Sequence, residues 1–156
     1  MELILFFVGG GIYYILEVLW RGKSHWTMFV LGGICFVIIG LLNEYKFQWK
    51  DSLFDQALIG ALVITTFEFI SGCVINLWLK WNIWDYSNLP FNLFGQICLY
   101  FFLLWIPLSA IGVVLDDWIR YLTYCILQWI FPTIQMKERE RPHYILYVHI
   151  NSDEKS

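Results

Sequence analysis

Four long apolar runs separated by short polar stretches dominate the pattern of this chain, and they cover residues 3–20, 27–42, 57–79 and 97–115. Glu17 interrupts the first and Glu68 the third; the second and fourth carry no charge. A hydrocarbon core about 30 Å thick needs about 20 helical residues to cross it. Lipid offers backbone amides no partner, so each run predicts a transmembrane α-helix. Trp20, Trp26, Trp49, Trp78, Trp81 and Trp84 gather at the ends of these runs, as an aromatic belt requires. The predicted fold is an all-α polytopic bundle of four spans.

Residues 118–131 are harder to place. They follow Asp116-Asp117, contain Arg120 and Gln128, and stop at Pro132. Leu122, Ile126 and Trp129 share one helical face while Arg120, Tyr124 and Gln128 share another. A helix of that length is about 21 Å long, short for a span. The pattern predicts an amphipathic helix lying in the interface, with a fifth span as the alternative. Residues 1–135 then form the membrane domain and residues 136–156 a charged tail, in which 144–150 alternate like a short strand.

The choice fixes the orientation. With four spans, seven of the ten Lys and Arg residues (Lys46, Lys50, Arg120, Lys137, Arg139, Arg141 and Lys155) share the side of both termini. Arg21, Lys23 and Lys80 lie opposite. The positive-inside rule then places both termini in the cytoplasm; five spans would reverse the protein.

Composition agrees with a membrane location. Hydrophobic residues make up 59% and charged residues 15%, against about 25% charged in a soluble domain. A net charge of −3 without a basic block argues against nucleic acid as a partner. Cys35, Cys73, Cys98 and Cys125 all lie in apolar runs without a CxxC pair, so they read as packing residues rather than a metal site or a disulfide framework. The string Gly22-Lys23-Ser24 is preceded, five positions before the glycine, by Glu17 where a phosphate loop needs glycine. No catalytic residue, metal or cofactor is predicted.

Glu68 is the most informative polar position. It lies at the centre of the third run, where an acidic residue costs about 2.5–3.5 kcal/mol to insert. Thr65, Glu68, Gly72 and Asn76 follow helical spacing and define one polar face that must turn into the bundle. It predicts either a proton, cation or substrate site or a hydrogen-bonded structural carboxyl. Glu17 is shallower and one turn from Arg21, so a local ion pair accounts for it as well as a polar site does. The loop 81–94 carries Trp84-Asp85-Tyr86-Ser87-Asn88 and Pro90. It reads as a structured turn, with Asp85 accepting amide hydrogen bonds and Trp84 and Tyr86 at the headgroups.

A weak internal repeat accompanies this pattern. Gly9 and Glu17 are spaced like Gly60 and Glu68, and Gly32-Gly33-Ile34-Cys35 resembles Gly95-Gln96-Ile97-Cys98. Two copies of a helical hairpin would produce both matches, and so would chance.

Several motifs together bring a family into view. Glu68 with Gly72, the string Trp84-Asp85-Tyr86-Ser87, Pro90, Asn92, Gly95 and Trp105 resemble small bacterial membrane proteins grouped as CmpB-like type IV ABC-transporter permeases. The stretch Leu16-Glu17-Val18-Leu19-Trp20-Arg21-Gly22 with His25-Trp26 is similar to their amino-terminal half. Asp116-Asp117-Trp118, Arg120-Tyr121 and Arg141-Pro142-His143-Tyr144 are similar to their carboxy-terminal pattern, with extra material at 122–135. The resemblance implies a multi-pass protein of the bacterial cell membrane that contributes to transport. It also implies partners: a second copy or another membrane subunit, and a separate ATPase subunit. Two other classes compete with that expectation. One is a membrane scaffold or regulatory subunit acting through a partner; the other is an enzyme built on Asp85, His25 and Ser24.

Overall fold

The protein is described from a computed structural model covering residues 1–45, 52–132 and 139–146. Four helices carry the chain: α1 (Glu2–Arg21), α2 (Trp26–Tyr45), α3 (Leu53–Gly72) and α4 (Leu99–Ile130). Each is long and apolar enough to cross a membrane. The first three are about 30 Å long and α4 about 48 Å.

Local chemistry explains the helix ends. Gly22 closes α1 in the left-handed conformation (φ 72°), its N–H bonding to the Val18 carbonyl, because a residue without Cβ takes that conformation at no steric cost. Ser52 starts α3 by accepting the Phe54 N–H on its hydroxyl. Beyond Gly72, α3 loosens into a π-helical segment, Cys73–Trp78. The loop after it contains a two-residue antiparallel ladder, β1 (Asn92–Leu93) on β2 (Ile97–Cys98). β2 occupies positions expected to open the fourth span, so α4 starts at Leu99 instead.

Two antiparallel hairpins, α1–α2 and α3–α4, make the bundle. The first closes on glycine. A Cβ at Gly9 would fall 2.2 Å from Phe36 Cβ, and one at Gly33 would fall 2.7 Å from the Phe6 carbonyl. Small residues let transmembrane backbones approach in this way. Gly60 faces Ser109 of α4 in the same manner. The second half of the repeat does not share a conformation. Gly32 lies inside α2, packed on Tyr13, whereas Gly95 is a turn residue with φ 68°.

The expected break between a fourth span and an interfacial helix is absent. Residues 118–130 continue α4 without interruption. The charges at Asp116, Asp117 and Arg120 are compensated inside the protein rather than by water, and no helix-breaking residue separates them from Phe131. Of the tail, residues 139–146 are described. Ile145 forms a parallel bridge with Ser52, with Leu53 N–H donating to the Ile145 carbonyl at 2.8 Å. The rest of the alternating stretch 144–150 lies outside the described residues, as do Trp49, Lys46, Lys50, Lys137 and Lys155.

At one end of the bundle lie Arg21, Trp26, Trp78 and the loop to Leu99; at the other lie Glu2, Tyr45, Ser52 and Arg120. Trp20, Trp26, Trp78 and Trp81 are exposed at the loop end. All four cysteines are free, with Cys35 and Cys98 buried.

Candidate functional site

Glu68 is 1% exposed. Its helix supplies Gln56, Ala57, Gly60, Ala61 and Gly72 as the other buried positions of one face. Two neutral donors meet the carboxylate. The Tyr86 hydroxyl donates to Oε1 at 2.9 Å and the Trp105 indole N–H donates to Oε2 at 3.0 Å. Among the described residues no Lys or Arg forms an ion pair with it. Tyr13 of α1 stacks on Trp105 at 5.8 Å between ring centroids, and Tyr86 stacks on Phe101 at 4.5 Å. Each donor is thus held in place by a second ring.

Tyr86 reaches Glu68 because the loop after α3 folds into the bundle. The wide turn at Cys73–Trp78 directs Asn76 at this loop. Asn76 Nδ2 donates to the Trp84 carbonyl at 2.9 Å and to Gln96 Oε1 at 2.8 Å, while its Oδ1 accepts the Ile83 N–H at 2.7 Å. Trp84, expected at the headgroups, is buried instead. Its indole N–H donates to the Gln96 carbonyl at 3.0 Å, so its one polar atom is satisfied inside. Tyr86, also expected at the surface, is half-buried against the same core of Met28, Leu31, Cys35 and Trp84. Burial, then the neighbouring Glu68 charge, push its phenol well above the ordinary range. It therefore stays a donor. Non-backbone-neutral conformations cluster here: Lys80, Asn82, Phe91 and Phe94 all have positive φ, which strains residues with a Cβ.

Asp85 stays at the surface. Its Oδ1 accepts the Ser87 N–H at 2.8 Å and the Ser87 hydroxyl. These two bonds, the hydroxyl first, hold its carboxyl below the usual aspartate value. Thr65, one turn from Glu68, has a buried hydroxyl without a hydrogen-bond partner among the described residues. Glu17 bonds to Arg21 and to the Ser24 hydroxyl, and Arg21 Nη1 donates to the Ile83 carbonyl at 3.1 Å. Ser24, His25 and Asp85 bond to different partners: Ser24 to Glu17, His25 to Thr27 at 2.9 Å with its ring on Trp26 and Trp81, and Asp85 to Ser87. Glu17 and Arg21 pair with each other, while the hydrogen bonds of Glu68 go to Tyr86 and Trp105.

A family model described as "Putative ABC-transporter type IV" matches residues 4–137. The chain belongs to this family. Comparison with curated proteins and with solved structures returns no match. Membership and four spanning helices make this type IV ABC-transporter family protein a multi-pass membrane protein and support a role as a membrane component of a transporter.

One charged cluster in the family match escaped sequence reasoning. Arg120, 6% exposed, donates from Nε to Asp116 at 2.9 Å, and from Nη1 and Nη2 to both oxygens of Glu2 at 3.0 and 3.1 Å. Asp117 accepts from Asn43 at 2.9 Å and from Tyr144 at 3.2 Å. Glu44 pairs with Arg139, and the Arg141 guanidinium lies 5.7 Å from the centre of the Trp118 ring. Asp116 and Arg120 are four residues apart, the spacing that exposed the Glu17–Arg21 pair. That signal was available.

Proposed function

We propose that the chain is the membrane-embedded component of a transporter of the bacterial cell membrane, and that Glu68 is its proton-binding group. Thr65 and Glu17 belong to the same polar region, and Asn76 with the 84–87 turn positions the Tyr86 donor. The observation that carries the reading is a buried carboxylate met by two neutral donors and no ion-pair partner among the described residues. Ionisable groups within transmembrane segments mark ion pathways more often than they serve packing. Such a group changes charge on binding a proton without stranding a neighbouring cation. A single bundle of four helices encloses little volume, so transport calls for a second copy or another membrane subunit. Energy would come from a separate ATPase subunit at the end that holds Glu2 and Arg120, the cytoplasmic one under the positive-inside rule.

The test is ATP-dependent proton flux in inside-out membrane vesicles from cells that make the protein together with its partner subunits, followed with a pH-sensitive dye in the lumen. Glu68→Gln keeps the shape and cannot ionise; it is expected to fold and to abolish flux. Equal flux from both proteins would remove the proposal. A scaffold reading draws on the tail, which touches α2 through Arg139–Glu44, α3 through Ile145–Ser52 and α4 through Tyr144–Asp117. It expects Glu68→Gln to be silent and loss of residues 139–146 to release a partner.

A further inference from the structure

The loop that follows the π-helical segment does not stand off the bundle. Its Gln96 side chain lies against Gly72, where a Cβ would fall 2.6 Å from Oε1. The Phe94 ring packs beside Phe69 of α3, 6.4 Å between centroids and tilted by 30°. Both contacts are made before that helical run ends at Trp78, so the loop turns back along α3 toward the membrane.

Its chemistry is unlike that of a loop in water. No Asp, Glu, Lys or Arg occurs between Asp85 and Asp116. The backbone of the segment bonds within the protein. The Tyr86 N–H donates to the Gly95 carbonyl at 2.7 Å and the Gln96 N–H to the Leu93 carbonyl at 3.0 Å. The Asn92 amide donates to the Leu89 carbonyl at 2.8 Å, and its Oδ1 accepts the Gly95 N–H at 3.1 Å. The Gln96 amide donates to the Phe94 carbonyl at 2.9 Å. Internal pairing of this kind is what non-helical backbone needs near lipid. Apolar rings, meanwhile, point outward. Phe91 and Phe94 are 81% and 70% exposed, and both have left-handed backbone, φ 53° and 51°, which residues with a Cβ rarely adopt. Strain of this kind is retained where it serves a site.

We propose that this loop is a membrane-inserted prong: Phe91, Leu93 and Phe94 enter the leaflet on the loop side, among acyl chains just below the headgroups, while Asp85 and Asn88 stay in water. Lipid is the occupant because the prong joins, through Phe69, the outward surface of a spanning helix on which Ile70 and Val74 are also exposed. Aromatic side chains are favoured at this depth of a bilayer. Trp84 and Tyr86, the aromatics expected there from the sequence, are turned inward to the core, and the two phenylalanines take their place. The proposal does not depend on the chemistry of Glu68. It does mean that the loop presenting Tyr86 to Glu68 is gripped by lipid on its outer side.

The test uses the full chain in vesicles of phosphatidylethanolamine and phosphatidylglycerol, in a background without the four native cysteines. Phe91→Cys, Phe94→Cys and Asn88→Cys each receive a nitroxide spin label. Collisions of the label with oxygen, which concentrates among acyl chains, and with a water-soluble nickel chelate are then measured by power saturation. Oxygen is expected to dominate at 91 and 94, and the chelate at 88. Leu93→Cys supplies the same reading if a phenylalanine variant does not elute as a folded protein. Dominance of the chelate at 91 and 94 would put the loop in water and overturn the proposal. Low access to both reagents would mean that protein covers the rings, a second copy or another subunit, and would overturn the assignment to lipid. Flux is not measured, so a silent Glu68→Gln in the flux assay leaves this result standing.

Discussion

Glu68 and Asp116 are both carboxylates hidden within the bundle, 1% and 0% exposed, yet they are satisfied in opposite ways. Glu68 accepts from a phenol and an indole. Asp116 faces a guanidinium that it shares with Glu2. Protonating Glu68 weakens two hydrogen bonds and, among the described residues, strands no ion-pair partner. Protonating Asp116 would leave Arg120 with less countercharge in a buried position, at a cost of several kcal/mol. The difference separates a carboxyl that can change its charge from one that must keep it. The first suits chemistry, the second fastening.

The largest effect should come from breaking the fastening. Arg120→Leu strands Asp116 and Glu2 together, and is expected to cost about 3–5 kcal/mol, read from denaturant unfolding of the detergent-solubilised protein. A loss below about 1 kcal/mol, the range of a solvated pair, would erase the contrast. Matched tyrosine substitutions sharpen it. Tyr86→Phe takes one of two donors from Glu68 and should cost about 1.5–3 kcal/mol. Tyr144→Phe takes a longer bond from Asp117, which retains Asn43 at 2.9 Å, and should cost about 0.5–1.5 kcal/mol. The reverse order would mean that the tail, not the loop, makes the tighter contact.

The smallest effect belongs to Asp85, an exposed carboxylate. Its folded pKa lies below the 3.8 of a free aspartate, so the Ser87 bonds contribute stability above that value and lose it as pH falls through the folded pKa. Wild type should therefore exceed Asp85→Ala in unfolding midpoint at neutral pH, and the gap should narrow below pH 3.8. A gap that stays constant into acid would show that the charge is not what holds the turn.

The spans were legible because burial in lipid demands unbroken apolar runs, and residues 3–20, 27–42, 57–79 and 97–115 satisfy that demand unaided. The inward turn of Glu68 was legible from depth for the same reason. Its partners were not. Tyr86 is eighteen positions away, and only the folding of the loop about Asn76 brings it within reach. The same folding takes Trp84 from the surface into the core, against the habit of tryptophan at span ends. At the opposite end, Asp116-Asp117 looked like a boundary because charges usually stop a span. Arg120 supplied their compensation locally, and Glu2, 118 positions earlier, could not be assigned from spacing.

That long reach from Glu2 to Arg120 has a consequence for biogenesis. Helices inserted early pack before later ones are made, and the α1–α2 hairpin, with its glycine seam, has its own contacts from the start. The carboxylates of Glu2 and Glu44 wait for partners until the last helix and the tail leave the ribosome. A nascent chain halted before Arg120 would expose an acidic mouth at the membrane surface, a mark by which quality control could tell an unfinished protein from a finished one.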